Sequence, residues 1–173
     1  MHLIENIFFM RETKCRLTSF CFAITFFLSA TAQNLTPEEL SQIHHTSDFR
    51  VITNSLANKG FKLQSNQQDE RTNETVARWY FPSSPYGGEE VISYLIKSVD
   101  SIKGSKTTFL LYHPSHYKEL IDKLLKSKFE FKGIQILGNN SYSVFKNKKL
   151  VILSRERWEA ENRKYFEMII QKE

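Results

Sequence analysis

The chain has 173 residues, of which 40% are hydrophobic and 25% are charged, and it contains only 6 Gly and 4 Pro. This composition is typical of a globular protein; it excludes a disordered chain, which would be less apolar, and a collagen-like fibre, which needs far more glycine. The formal net charge is +5 at pH 7. The length suits one domain with a substantial core.

The N-terminal segment has the three-part order of a secretory signal peptide. The basic residues Arg11, Lys14 and Arg16 come first, an apolar run follows over 17–28, and small residues occupy 29–32. The apolar run is shorter than the roughly 20 residues that cross a bilayer. We therefore predict a signal peptide over 1–32, cleavage near Ala32, and a periplasmic or secreted protein. An uncleaved anchor is the alternative, and Met10 is an alternative start.

Both cysteines, Cys15 and Cys21, lie in this leader, so the mature chain over 33–173 would have none. Disulfides, thiol nucleophiles and cysteine zinc sites are then excluded. After the leader, no segment is long and apolar enough to span a membrane. We expect a soluble exported protein without a cofactor.

Charge is distributed unevenly along the mature chain. Residues 33–104 contain 7 basic and 9 acidic residues, whereas residues 105–173 contain 14 and 8. A basic half favours an acidic protein or another anionic component of the cell envelope as partner. A lysine-rich solubilising face is the alternative interpretation. Nucleic acid is a common partner of basic domains, but the predicted export argues against it.

Two helices are predicted first. The segment 35–39 has a capping threonine, a proline at the first helical position and a glutamate in capping-box register. This short helix should end near His44 and His45, which we expect to be solvated. A second helix is predicted over 47–59, with Gly60 as its C-terminal stop.

The remaining elements follow from apolar periodicity and turn residues. Four strands are predicted at 61–67, 74–81, 89–99 and 107–113. A helix then begins near Ser115, where Tyr117, Leu120, Ile121, Leu124 and Leu125 recur at helical spacing. Four more strands are predicted at 129–137, 141–145, 150–155 and 165–171, with a helical turn over 157–163.

The two halves share a pattern at a constant offset, in which Phe49 corresponds to Tyr117 and Phe61 to Phe129. In each half a helix enters a strand through an aromatic residue, and three further strands follow. We interpret residues 47–114 and 115–173 as tandem α-β-β-β-β units that follow a short helical region at 33–46. The predicted class is α+β, with one antiparallel sheet and helices packed on one face.

The helix-to-strand junction Gly60-Phe61-Lys62 resembles that of small exported bacterial proteins built from repeated helix-plus-meander units, where Gly-Phe-Lys or Gly-Tyr-Lys marks this point. The resemblance covers most of residues 47–171. It implies the tandem α-β4 fold and no function, because these relatives carry no assigned activity. The helices before the first meander are also similar to secreted β-lactamase-inhibitor proteins, which implies a protein-binding sheet. The disulfides of those proteins have no counterpart here.

Candidate metal ligands lie at the start of the third helix. His113, His116 and Glu119 combine two imidazoles with a carboxylate, and the last two share a helix face at i, i+3. A His-Glu-x-x-His motif is absent, so polar residues at a helix start are the alternative interpretation.

Candidate partner-binding residues are an aromatic on a Pro/Gly-rich loop and a set of basic residues around a predicted hairpin. They are Tyr86, Lys146, Lys148, Lys149, Arg155 and Arg157. Neighbouring aromatics at 79–81 are expected to lie mostly in the core. No catalytic residue is assigned, because the chain has neither a Gly-x-Ser-x-Gly elbow nor a glycine-rich phosphate loop.

The sequence thus favours an exported non-enzymatic binding protein of the cell envelope, such as an inhibitor or immunity-type protein. It would contact a protein or an anionic partner. A metal-dependent envelope hydrolase is the second hypothesis, and a structural or assembly accessory of the envelope is the third.

Overall fold

The computed structural model describes residues 35–71, 73–83, 90–100, 104–159 and 163–172. The predicted leader at 1–32 and the loop residue Tyr86 lie outside the described residues. Export and a role for Tyr86 therefore stay predictions.

Within these ranges the chain forms three helices and eight strands. The helices are α1 (Pro37–His45), α2 (Phe49–Ala57) and α3 (Pro114–Lys126). The strands are β1 (Lys62–Asp69), β2 (Glu74–Pro82), β3 (Val91–Asp100), β4 (Gly104–Leu111), β5 (Glu130–Leu137), β6 (Asn140–Lys146), β7 (Leu150–Trp158) and β8 (Lys164–Lys172).

All eight strands belong to one antiparallel sheet in the order β1-β2-β3-β4-β8-β7-β6-β5. Each set of four consecutive strands is a meander, and the meanders meet where β4 pairs with β8, from Thr107 opposite Ile170 to Leu111 opposite Phe166. The predicted α+β class with an antiparallel sheet is confirmed.

The core lies between the helices and one face of the sheet. Trp79, Leu95, Phe109 and Met168 are register partners on consecutive neighbouring strands, so their side chains share this face. They form one buried cluster with residues of all three helices, including Leu40, Ile52, Leu56, Leu120 and Leu124. We call the opposite side of the sheet the open face; it carries a smaller buried cluster of Tyr142, Val144 and Leu153.

The ends of the helices follow the sequence signals. Thr36 Oγ1 accepts a hydrogen bond from Glu39 N at 3.2 Å, and the Glu39 carboxylate accepts one from Thr36 N at 2.8 Å, which completes the predicted capping box. Asp48 caps α2 through the backbone N–H groups of Arg50 and Val51. Such caps each contribute on the order of 1 kcal/mol.

The end of β7 differs from the prediction. The sequence predicts a helical turn over 157–163, of which residues 160–162 lie outside the described ones. At its start, β7 instead continues through Arg157 and Trp158, which pair with Tyr165 and Lys164 of β8. Glu159 N also donates to Arg163 O at 2.9 Å. The long β7–β8 ladder satisfies these backbone groups and outweighs the local helical tendency of the charged residues.

The helix-to-strand junctions have similar backbones in the two halves. Gly60 has φ +88°, and the following Phe61 N donates to Leu56 O at 3.0 Å. A Cβ at Gly60 would also lie 3.0 Å from Phe81 Cε2, so this position needs glycine for two reasons. After α3, Lys128 occupies the same left-handed region with φ +66°.

A buried lysine fixes the end of α1 to the sheet. Lys97 of β3 is 0% exposed, and its Nζ donates to Ile43 O at 2.8 Å, to His44 O at 2.5 Å and to Ser105 Oγ at 2.6 Å. The two carbonyls belong to the last turn of α1, where the helix dipole is negative. Burial lowers the pKa of Lys97 to about 8.

His44 lies in the same network, so the expectation that it is solvated is wrong. The side chain is 0% exposed, its Nδ1 lies 3.3 Å from Thr107 Oγ1, and its Nε2 has no hydrogen-bond partner. Burial, helped by the charge of Lys97, lowers the pKa of His44 to about 4. The sequence signal of a helix end does not show that α1 ends over the middle of the sheet.

We predict that stability falls as the pH drops from about 6.5 to about 4. In this window the unfolded chain binds a proton on His44 that the folded chain does not, so the free energy of unfolding decreases by up to about 3 kcal/mol. Urea unfolding at pH 7 and at pH 4.5 measures the loss. His44→Leu should reduce the difference between the two pH values, whereas His45→Gln at the exposed neighbour should leave it unchanged. An undiminished difference in His44→Leu would contradict the assignment.

Candidate functional site

Lysines converge on a concavity of about 720 Å³ at one end of the sheet. We call it the basic cleft. Its walls come from the loop after α3, the start of β5 and the β6–β7 hairpin. The lining residues are Ser127, Lys128, Glu130, Lys132, Lys146, Asn147, Lys148 and Lys149. Five ammonium groups and one carboxylate give this lining a formal charge of +4.

The hairpin wall is held by Asn147. Its Oδ1 accepts hydrogen bonds from Lys149 N and Leu150 N, both at 2.9 Å, and its own N donates to Leu150 O at 3.1 Å. This is the way in which asparagine side chains stabilise tight turns. Leu150 is buried in the core, so it anchors the turn. Lys148 and Lys149 are therefore presented at the tip of a fixed hairpin.

Among the described residues of the lining, the only acid lies on the opposite wall. Glu130 forms an ion pair with Lys132 and lies opposite Lys146 in the β5–β6 register. The hydrogen bond from Lys132 lowers the pKa of Glu130 below its ordinary value, and the charge of Lys132 acts in the same direction. The carboxylate stays ionised at neutral pH and offsets one lysine, which leaves the cleft strongly positive.

Lys128 enters the cleft from the end of α3. It corresponds to Gly60 at the constant offset between the two halves, and both residues have positive φ. A residue with a Cβ is disfavoured there by about 1–2 kcal/mol. The alignment of the two halves places a lysine at the position of a helix-terminating glycine, which is a sequence signal for Lys128. Neither Lys128 nor Lys132 is among the site residues predicted from the sequence.

The two predicted arginines lie elsewhere. Arg155 and Arg157 are on the open face of β7, several residues from the hairpin along a strand that rises about 3.3 Å per residue. Arg155 pairs with Glu167 and lies 4.8 Å from the centre of the Tyr142 ring. Arg157 has a 44% exposed side chain. The structure thus brings Lys146, Lys148 and Lys149 together but not these arginines.

The candidate metal ligands are partly brought together. The rings of His113 and His116 lie 5.1 Å apart, and His113 Nδ1 is 2.7 Å from Ser115 Oγ. Burial lowers the pKa of His116, and the charge of His113 adds to this effect. The carboxylate of Glu119 lies 2.8 Å from Lys123 Nζ. In the part of the chain that the structure describes, no three His, Cys, Asp or Glu residues are grouped as metal ligands would be.

The chain matches no protein-family model, no curated protein and no solved structure in the three comparisons made. Among the described residues, no helix combines the length and apolar content needed to cross a bilayer. The geometry and charge of the site are therefore the basis for a functional proposal.

A metal measurement tests the hydrolase hypothesis. Because His113 and His116 are brought together without a third ligand among the described residues, we expect tag-free protein to contain well under one equivalent of zinc. Elemental analysis by plasma mass spectrometry measures the content. One equivalent of zinc that a His113→Ala/His116→Ala variant loses would restore the metal hypothesis.

Proposed function

We propose that the chain is an exported, non-enzymatic binding protein that holds an anionic group of its partner in the basic cleft. The observation that carries this proposal is the convergence of five lysines from separate segments on one concavity. Export rests on the predicted leader. The partner is an acidic protein or another anionic component of the cell envelope, and an inhibitor or immunity-type protein is one form of this function.

The charge of the cleft supports anion binding. Like charges that face one another across a cleft repel, and a bound anion relieves that repulsion. Ordinary protein surfaces intersperse the two signs of charge instead. Lysine ammonium groups act as point charges on flexible stems, which suits a phosphate or a group of carboxylates of variable orientation. The cleft therefore fits a compact anionic group better than a planar one that requires arginine.

The tandem interpretation is also part of this proposal. On this view the two helix-plus-meander halves are repeats of one unit, and the second unit has Lys128 where the first has Gly60. The sequence of strands in the sheet supports this, since the last strands of the two meanders are neighbours.

Charge reversal at the hairpin tip tests the cleft. We expect Lys148→Glu/Lys149→Glu to weaken binding of the partner by about tenfold or more, because each reversal replaces an attraction with a repulsion. The measurement is a pull-down from envelope extract with residues 33–173 at low and high salt, read by mass spectrometry. A matched control reverses two exposed lysines away from the cleft, Lys106→Glu/Lys118→Glu. Equal recovery of the partner with both variants would contradict the proposal.

Lys128 allows a test that separates binding from folding. We expect Lys128→Gly to raise the free energy of unfolding by about 0.5–1 kcal/mol, because glycine relieves the positive φ but gains freedom in the unfolded chain. The same variant should bind the partner more weakly, since one cation is lost. Urea unfolding and the pull-down measure the two effects. A variant that is more stable and binds equally well would remove Lys128 from the site.

A further inference from the structure

Four tyrosines form a continuous row across the open face. The ring centres of Tyr80 and Tyr94 lie 6.5 Å apart, those of Tyr94 and Tyr112 lie 6.2 Å apart, and those of Tyr112 and Tyr165 lie 5.7 Å apart. The residues come from β2, from β3, from the position just after β4, and from β8. We call them the tyrosine row.

Strand register produces this alignment. Tyr80 is directly opposite Tyr94 in the β2–β3 pair, and Tyr112 N continues the β3–β4 ladder by donating to Ile92 O at 3.0 Å. All four rings are partly exposed, and the three helices pack on the other face of the sheet. The tyrosine row is therefore a solvent-accessible strip that is one ring wide.

Cationic side chains stand at both ends of the row. At one end, the exposed Lys62 is directly opposite Tyr80 in the β1–β2 register. At the other end, the guanidinium of Arg157 lies 5.9 Å from the centre of the Tyr165 ring. Between the two ends, the guanidinium of Arg163 lies 4.3 Å from the centre of the Tyr112 ring. The exposed Arg78 is opposite Ile96 and two residues from Tyr80 on the same face, so it adds a cation diagonal to Tyr94.

The middle of the row is held in place. The Tyr112 hydroxyl donates to Glu159 Oε1 at 2.8 Å, and Arg163 Nη2 donates to Val91 O at 3.0 Å. These bonds fix one ring and one cation before any ligand arrives, which reduces the entropy that binding would cost.

We propose that the tyrosine row binds a linear acidic polysaccharide. This inference rests on the proposed function, because export would place the chain among such polymers. Tyrosine offers an apolar ring face to sugar C–H groups and a hydroxyl for hydrogen bonding. The arginines along the row and Lys62 at its end hold carboxylates of the polymer. A nucleic acid strand also combines stacking groups with phosphates, but the predicted export favours a polysaccharide.

The probe is a hyaluronan octasaccharide, in which glucuronate alternates with N-acetylglucosamine, and calorimetry measures its binding. We expect saturable binding that Tyr94→Ala weakens by about tenfold or more and that Tyr94→Phe largely keeps. Arg157→Gln/Arg163→Gln should weaken binding to a similar extent without touching the helix-side core. Arg50→Gln, which removes an exposed arginine of α2 on the helix-covered side of the sheet, is the matched control and should bind as the parent does.

Several results would overturn the proposal: no binding of the octasaccharide, equally tight binding of neutral chitohexaose, or an equal loss in Arg50→Gln. Binding of oligo(dT) that Tyr94→Ala abolishes, with none of the octasaccharide, would assign the row to single-stranded nucleic acid instead. The basic cleft lies at the other end of β7, so Lys148→Glu/Lys149→Glu should leave octasaccharide binding intact. Failure of one site is thus distinguishable from failure of the other.

Discussion

The buried ammonium of Lys97 is the interaction on which the arrangement of the helices depends. Burying an ammonium group is costly unless its hydrogen bonds are made, and here Nζ has three oxygen partners. Two of them are carbonyls of the last turn of α1, whose helical N–H partners are missing, and His44 O also accepts a hydrogen bond from Ser105 Oγ at 3.1 Å. Lys97 is opposite Thr107 of β4, the strand that joins the two meanders. The lysine therefore holds α1 at the joint of the sheet.

With α1 in this position, all three helices cover the same face, and the sheet becomes strongly asymmetric. The helix-covered face contains Trp79, Leu95, Phe109 and Met168, each buried completely or nearly so. The open face has only a small buried cluster, and its tyrosines and arginines remain partly exposed. The residues proposed to bind partners lie on the open face and at the β6–β7 hairpin, outside the helix-side core.

Local signals predicted most of the elements but not their spatial relations. The capping residues of α1, the apolar stripe of α3 and the turn at Asn147 act within a few residues, so the sequence shows them. The burial of His44 and Lys97 depends on contacts between segments far apart in the chain, since His44 meets β4 and Lys97 meets the end of α1. The tyrosine row needs the register of four strands, and β3 alternates apolar residues on both faces, so periodicity alone could not tell which side its Tyr94 occupies.

The two helix-to-strand junctions, at Gly60 and Lys128, share a left-handed backbone conformation but have different surroundings. At Gly60 a Cβ would lie 3.0 Å from Phe81 Cε2, so the ring would have to move to admit a side chain. After α3, Lys128 lines the basic cleft. A lysine there costs conformational energy that glycine would avoid. The backbone conformation alone favours glycine there, and the proposed binding of an anion in the cleft gives a reason for a lysine.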